Sequence, residues 1–375
     1  MSSAARFALF LGIVLGIWLA EHVYVGWRLL SVPPFAAGAA RKGLLAWLVV
    51  GFLTYPLGRT LFAVGWRGSG RVLECVGAVW MGTLFLLLAA LLTVEVVTLG
   101  GFVLRSWAPW LRGAAAIVAV CASAAAWASA AVGPRTVRLD VTLGGLPREV
   151  DGLRLVQISD VHVGTILGRA RLQKILDGVQ RLEPGVVVIT GDLIDGDAGV
   201  VEELLPELRT LRAPRGVYAI LGNHEYYAGR ERSRALLHDA GFEVLDNRWV
   251  EPAPGLYLAG VPDARGSAQT GKPEADLDAA LAGLDPDSAV VLLQHAPEEE
   301  ERIAAAGVDL LLNGHTHGGQ IWPFHYLVKR AYPHLAGVYR VGAMTQVVSR
   351  GSGQWGPPMR LFAPSEIIQI TLRSP

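Results

Sequence analysis

Five short segments of this 375-residue chain carry side chains able to coordinate metal ions. They read Ser159-Asp160-Val161-His162, Gly191-Asp192-Leu193, Gly222-Asn223-His224-Glu225, Gln294-His295-Ala296 and Gly314-His315-Thr316-His317-Gly318-Gly319-Gln320. Carboxylates, imidazoles and one amide without any thiolate suit Mn, Fe or Zn better than soft metals, and octahedral Mg less well because of the histidines. In Asp160-x-His162 and His315-x-His317 the alternate spacing fits a strand running into a loop, where residues i and i+2 point the same way. Glycines beside the ligands let backbone and substrate come close.

Taken singly these signals are weak. A lone Asp-x-His is seldom a metal site, and Gly-Asp after a strand is usually a turn or a helix cap. Gly-Asn-His-Glu is more specific and Gly-His-Thr-His-Gly-Gly more so, and the five in order leave little room for coincidence. Other polar residues have plainer readings. His238 sits on an amphipathic helix as a solvated side chain, and His325 and His334 lie either on a surface loop or along a cleft. Arg350 reads as a structural ion pair before it reads as a phosphate clamp. The Glu298 to Glu301 run is the acidic first turn of a helix.

Something must bring these segments together. From Pro134 onward, short apolar runs alternate with amphipathic stretches, the pattern of α/β layering. The predicted strands are Leu153 to Ile158, Val186 to Thr190, Val217 to Leu221, Leu256 to Val261, Ala289 to Leu293, Asp309 to Leu312 and Gln346 to Ser349. Helices are predicted over Arg169 to Leu182, Arg230 to Ala240 and Glu298 to Ala306. Asp160, Asp192, Asn223, His295 and His315 each fall within a few residues of the end of a predicted strand, the edge where open α/β sheets assemble their sites.

In this order the five blocks resemble the calcineurin-like metallophosphoesterase superfamily, and more narrowly its membrane-anchored bacterial phosphodiesterases. The resemblance covers roughly Leu153 to Leu372, including Val348-Ser349-Arg350-Gly351 and the stretch from Pro358 to Glu366. It implies an αββα two-sheet sandwich and two divalent metal ions. By resemblance Asp160, His162, Asp192 and His317 would hold one ion, and Asp192, Asn223, His295 and His315 the other, with Asp192 bridging. Two such ions lower the pKa of a shared water and clamp the phosphoryl oxygens during in-line displacement. The resemblance further makes His224 the group that stabilises or protonates the leaving oxygen. Asp195 would orient a neighbouring side chain.

The first 133 residues are of another kind, dominated by Leu, Ala, Val, Gly and Trp. A hydrocarbon layer about 30 Å thick needs about 20 apolar helical residues. Four stretches reach that length: Phe7 to Leu30, Leu44 to Trp66, Val72 to Leu104 and Gly113 to Val132. An all-α bundle of about four transmembrane helices is therefore expected over 1–133, and the phosphoesterase domain over 134–375. Trp27, Trp47, Trp66, Trp107 and Trp110 lie near the segment ends, where indole favours the headgroup level. The first stretch is too long for a signal-peptide core and is read as a retained helix. Arginines and lysines are shared evenly between the two sides, so they do not orient the bundle. Glu74 and Glu95 read as snorkelling near segment ends, while Glu21 with His22 could mark a headgroup or ion site.

With 33 basic and 33 acidic residues the formal charge is zero, so no global field draws a polyanion and no nucleic-acid partner is expected. Cys75 and Cys121 read as small buried hydrophobes, with no disulfide framework. The apolar stretches thus predict a multi-pass membrane protein with the lipid bilayer as a partner, and the resemblance implies a bacterial membrane and a phosphate-ester substrate. The protein would be a binuclear phosphoesterase acting on phosphodiester or pyrophosphate bonds, with lipid-linked and nucleotide substrates as candidates. The alternative is a non-catalytic metal-binding module attached to a membrane transport or sensing region. That reading is disfavoured because all eight expected positions, His224 included, are filled.

Overall fold

The computed structural model describes residues 3–196, 198–266 and 275–375. The chain divides into two units, Met1–Ala128 with Gly356–Leu361, and Ser129–Trp355 with Phe362–Pro375.

The first unit holds α1 (Ser3–Leu29), α2 (Gly38–Ala63), α3 (Arg67–Val97) and α4 (Ala108–Val132). The last three are long and apolar enough to cross a membrane. Helices α2 and α3 form the tightest pair because glycines let their backbones meet. A Cβ built at Gly58 would lie 2.4 Å from the Glu74 nitrogen, and one at Gly77 would lie 2.6 Å from the Tyr55 Cα. Such small-residue contacts are how helices associate where no hydrophobic drive exists between them. Segment Gly356–Leu361 belongs to this unit, with the Arg360 backbone N–H donating to the Ala126 carbonyl at 2.8 Å.

Three expectations for this region are corrected. Glu74 and Glu95 do not snorkel; both are buried. Glu74 accepts from Arg59 at 3.1 Å, and Glu95 is gripped by Arg112 at 2.7 Å and Arg28 at 3.0 Å. A short carboxylate reaches a neighbouring helix's guanidinium sooner than it reaches water, and pairing removes the cost of burying it. His22 is likewise a structural joint: its Nδ1 lies 2.7 Å from the Trp18 carbonyl, and its Nε2 accepts from the Trp80 indole at 2.8 Å. Cys121, on α4, is exposed, and Cys75 is only half-buried.

The second unit is built on two six-stranded sheets. Its strands are β1 (Arg135–Thr142), β2 (Arg154–Ile158), β3 (Val186–Thr190), β4 (Val217–Ile220), β5 (Glu243–Val244), β6 (Arg248–Ala253), β7 (Leu256–Gly260), β8 (Ala289–Leu293), β9 (Leu310–Asn313), β10 (Gly337–Val341), β11 (Met344–Val348) and β12 (Glu366–Arg373). The first sheet runs β1-β12-β2-β3-β4-β5 and the second β10-β11-β9-β8-β7-β6. Strands β2 through β5 are mutually parallel, as are β7, β8 and β9. The helices are α5 (Arg169–Gln180), α6 (Ala198–Glu202), α7 (Leu205–Leu208), α8 (Asn223–Asp239), α9 (Leu277–Leu281), α10 (Glu300–Ala305) and α11 (His325–Ala331).

Strand side chains alternate between two cores, which is why the parallel strands read as unbroken apolar runs. Leu155, Val186, Val188, Ile220, Val291, Leu293, Leu310 and Leu312 pack together between the sheets. Val156, Ile158, Val187 and Ile189 face the other way, onto Leu172, Ile175 and Leu176 of α5 and Leu236 and Leu237 of α8. Leu292 and Leu311 cover Leu277 of α9 and Ile303 of α10. The four layers are therefore helix, sheet, sheet, helix. Near the strand ends the two sheets are joined by polar groups: the buried Gln157 amide donates to the Asn313 carbonyl at 2.9 Å and to the Thr190 hydroxyl at 3.0 Å.

Candidate metal centre

Five of the parallel strands deliver the chemistry. Asp160 follows β2, Asp192 follows β3, Asn223 opens α8 just past β4, His295 follows β8 and His315 follows β9, so both sheets contribute at the same edge. Backbone hydrogen bonds tie these loops to one another. Asp160 N–H donates to Gly191 O at 3.1 Å, His162 N–H to Asp192 O at 3.0 Å and Gly314 N–H to His295 O at 2.8 Å.

The side chains meet in overlapping groups: Asp160 with His162 and His317, His162 with Asp192 and His224, and Asp192 with His295 and His315. Within each group the donor atoms lie no more than 4.8 Å apart. Ligands about 2.0 to 2.3 Å from a shared ion lie at most about 4.6 Å from one another, so these spacings are near those of a coordination shell. The His162 and His317 Nε2 atoms face each other at 3.1 Å, and His317 Nε2 is 3.4 Å from Asp160 Oδ1. At the other end His295 Nε2 lies 3.1 Å from Asp192 Oδ2 and 3.2 Å from His315 Nδ1. Asp192 belongs to both ends.

The residues fit divalent ions on two further counts. The Asn223 Oδ1 is buried with no hydrogen-bond partner, a costly state for an amide oxygen unless a cation takes it. Two imidazole nitrogens aimed at each other satisfy one another only if one is protonated, whereas a cation serves both. Backbone strain points to the same place: Asp160, His162, Asp192, His315 and His317 all have positive φ, between 51° and 68°. L-residues adopt that region at a cost, and it persists where surrounding structure and function hold it. Glycine is required next to them, since a Cβ at Gly222 would lie 2.2 Å from Asp192 Oδ1.

The electrostatics follow from burial and from Asp192. Burial pushes the His162 imidazole down to about 4, and burial with the neighbouring His295 charge pushes His315 down to about 3, so both stand neutral as donors. Burial and the charge of Asp192 carry the Asp160 carboxyl up to about 6, against the pull of His295. Asp192 itself is held well below the usual carboxylate range, because His295 outweighs its burial. His295 is correspondingly raised well above an ordinary imidazole, its burial outweighed by Asp192.

His224 stands at the rim. Its Nδ1 is 2.8 Å from Asp195 Oδ1, and this bond, with the charge of Asp192, outweighs burial and raises its pKa. The rings of Tyr227 and Trp355 flank it at 5.3 and 6.1 Å. Two residues near the site received no role from the sequence. Glu225 is wholly buried and its carboxylate accepts backbone N–H groups from Asp192 (3.0 Å), Ile194 (2.8 Å) and Gly222 (2.8 Å), bracing two ligand loops at once. Burial and the Asp192 charge raise its carboxyl to about 7. The Gly-Asn-His-Glu block already contained the signal, an acidic residue three places after a helix-opening glycine. Arg265 lies 3.4 Å from His315 Nε2 and 2.6 Å from Glu298, and nothing in its neighbourhood in sequence marks it. Arg350 pairs with Glu366 at 2.8 Å, His334 stacks on Tyr339 with its Nδ1 2.6 Å from Gln346 Oε1, and the His238 side chain is solvent-exposed.

A calcineurin-like phosphoesterase profile matches residues 153–319. A transmembrane protein with metallophosphoesterase domain from Danio rerio is 37% identical over 257 residues, which cover 65% of this chain and 59% of that protein. A metallophosphoesterase of Helicobacter pylori is 37% identical over 243 residues, 64% of each chain. One from Aquifex aeolicus is 34% identical over 230 residues, covering 61% of this chain and 87% of that one. The chain belongs to the calcineurin-like phosphoesterase family. Its match spans about three-fifths of the length of the first two relatives.

Proposed function

We propose that this chain is a multi-pass bacterial membrane protein that hydrolyses phosphodiester or pyrophosphate bonds at a binuclear metal centre. Residues 1–133 would form the membrane region and 134–375 the phosphoesterase domain. The observation that carries the proposal is the position of Asp192, within reach of His162 on one side and of His295 and His315 on the other, with Asp160 and His317 grouped around His162. In this reading Asp160, His162, Asp192 and His317 hold one divalent ion, and Asp192, Asn223, His295 and His315 the other, with Mn, Fe or Zn the best match to the donors. Such ions, when bound, neutralise phosphoryl oxygens and make a water nucleophilic at neutral pH.

The chain's own residues supply the rest. His224, its Nδ1 hydrogen-bonded to Asp195, would use its other nitrogen, when protonated, to deliver a proton to the departing oxygen. Glu225 keeps the Asp192 and Asn223 loops in place by holding three backbone N–H groups. Lipid-linked phosphate esters and nucleotides are the substrate classes favoured, since the chain's apolar helices would hold the site near headgroups.

The test is to purify the full chain in nanodiscs, measure bound metal, and assay generic diesters, monoesters and lipid pyrophosphates. Asp192→Asn is expected to lose metal and hydrolysis together. Wild-type protein that binds two ions yet turns over no phosphate ester would favour the non-catalytic metal-binding module instead.

A further inference from the structure

The loop that carries His315 and His317 continues into an unusual surface. Directly after Gly319 the chain runs Gln-Ile-Trp-Pro-Phe-His-Tyr-Leu-Val-Lys-Arg, and α11 is seated against the metal-site turn. A Cβ at Gly319 would lie 2.3 Å from the His325 Cα. Its large apolar side chains are not turned into the core. Trp322 is 43% exposed, Phe324 41%, Tyr326 63% and Leu327 64%, and Phe362, 6.3 Å from the Trp322 ring, is 81% exposed. Isolated exposed apolar residues are ordinary, but four within six positions, joined by a fifth that bridges to Ile321, form a patch of the kind that marks an interaction site.

The composition says which partner. Two of the five are Trp and Tyr, the side chains that prefer the level of lipid headgroups, and the patch ends in the exposed cations Lys329 and Arg330. Aromatic and aliphatic groups flanked by basic residues are how a short helix lies in a membrane interface, with the cations drawn to anionic lipid. A bilayer is also at hand, since the same chain holds helices long and apolar enough to cross a membrane.

We infer that the segment Trp322–Arg330, together with Phe362, docks into the anionic headgroup region of the bilayer that anchors the chain. The metal-site loop would then open onto the membrane interface, and substrates embedded there would be taken in preference to dissolved ones. This rests on the membrane-anchored reading above but not on catalysis.

The full chain with Cys75→Ser and Cys121→Ser is placed in nanodiscs and carries a nitroxide at Leu327→Cys, at Tyr326→Cys or, as a reference, at the exposed His238→Cys. In anionic nanodiscs the labels at 326 and 327 are expected to collide more with oxygen than with a water-soluble nickel chelate, and the label at 238 to do the reverse. Neutral lipid, or Lys329→Gln with Arg330→Gln, should lower the docking equilibrium about 5-fold per cation lost. Aqueous accessibility at both 326 and 327, equal to that at 238, would overturn the inference. So would spin–spin broadening between labels, which would assign the patch to a second copy of the chain. Failure to enter nanodiscs at all would instead remove the membrane reading, and loss of hydrolysis would leave the docking result standing.

Discussion

Glu225 holds the backbone of Asp192 without touching its carboxylate: the Glu225 Oε2 accepts the Asp192 N–H at 3.0 Å and the Gly222 N–H at 2.8 Å. One buried side chain therefore fixes the spacing between Asp192 and the loop bearing Asn223 and His224. Glu225→Gln turns an amide group toward backbone donors, leaving at least one buried N–H unsatisfied at a cost of about 1–3 kcal/mol. We expect metal affinity to fall by about 10-fold or more. Metal titration of the folded variant, with its melting temperature as a control, checks this.

His224→Ala is expected to keep its full metal content and slow turnover by about 100-fold or more, the usual scale for a lost general acid. An equal loss of metal would show His224 to be a ligand and not a proton donor.

Asp195 raises the His224 pKa through their 2.8 Å bond. Removing that charge with Asp195→Asn lowers the pKa, so the protonated imidazole is lost at a lower pH. The alkaline limb of the kcat profile should move toward acid in this variant, with metal stoichiometry unchanged. A limb that stays where it is would detach Asp195 from proton delivery.

Metal binding should release protons, and more of them at pH 6 than at pH 8. His295 is raised well above its ordinary pKa by Asp192, and the Asp160 carboxyl stands at about 6, so both carry protons in mildly acidic solution that a coordinating atom must give up. Affinity therefore rises with pH across this range. His162 and His315, already neutral, contribute nothing. Calorimetric titration in buffers of different ionisation enthalpy measures the release, and a heat independent of buffer at pH 6 would contradict it.

In the helical unit, Glu95→Gln strips the buried Arg112 and the half-buried Arg28 of their common partner. Breaking a buried pair from one side costs about 3–5 kcal/mol. The full chain in detergent should lose thermal stability accordingly.

The strands that carry the candidate ligands are legible because each is buried on both faces and so reads as an unbroken apolar run; β3, β8 and β9 fall almost where the sequence predicts them. The edge strands are not. Strand β1, with the mixed sequence Arg-Thr-Val-Arg-Leu-Asp-Val-Thr, is largely exposed, and β10 likewise keeps one face to solvent. At the site, residue type and spacing exposed the donors, since carboxylate and imidazole beside glycine are rare together. Arg265 was invisible because only tertiary proximity brings it to His315. The burial of Glu74 and Glu95 is hidden from the sequence for the same reason: their arginine partners sit on other stretches of chain, 15 and 17 residues away or farther.

Strand β12 lies between β1 and β2, parallel to the first and antiparallel to the second. The strand leaving the last apolar helix thus has no mate, and the strand ending beside Asp160 has one bare flank, until residues 366–373 have been made. Biosynthesis is thereby ordered. Until then the sheet that positions Asp160 and Asp192 stays open along one edge, so a chain cut before residue 366 is expected to leave those two loops unanchored.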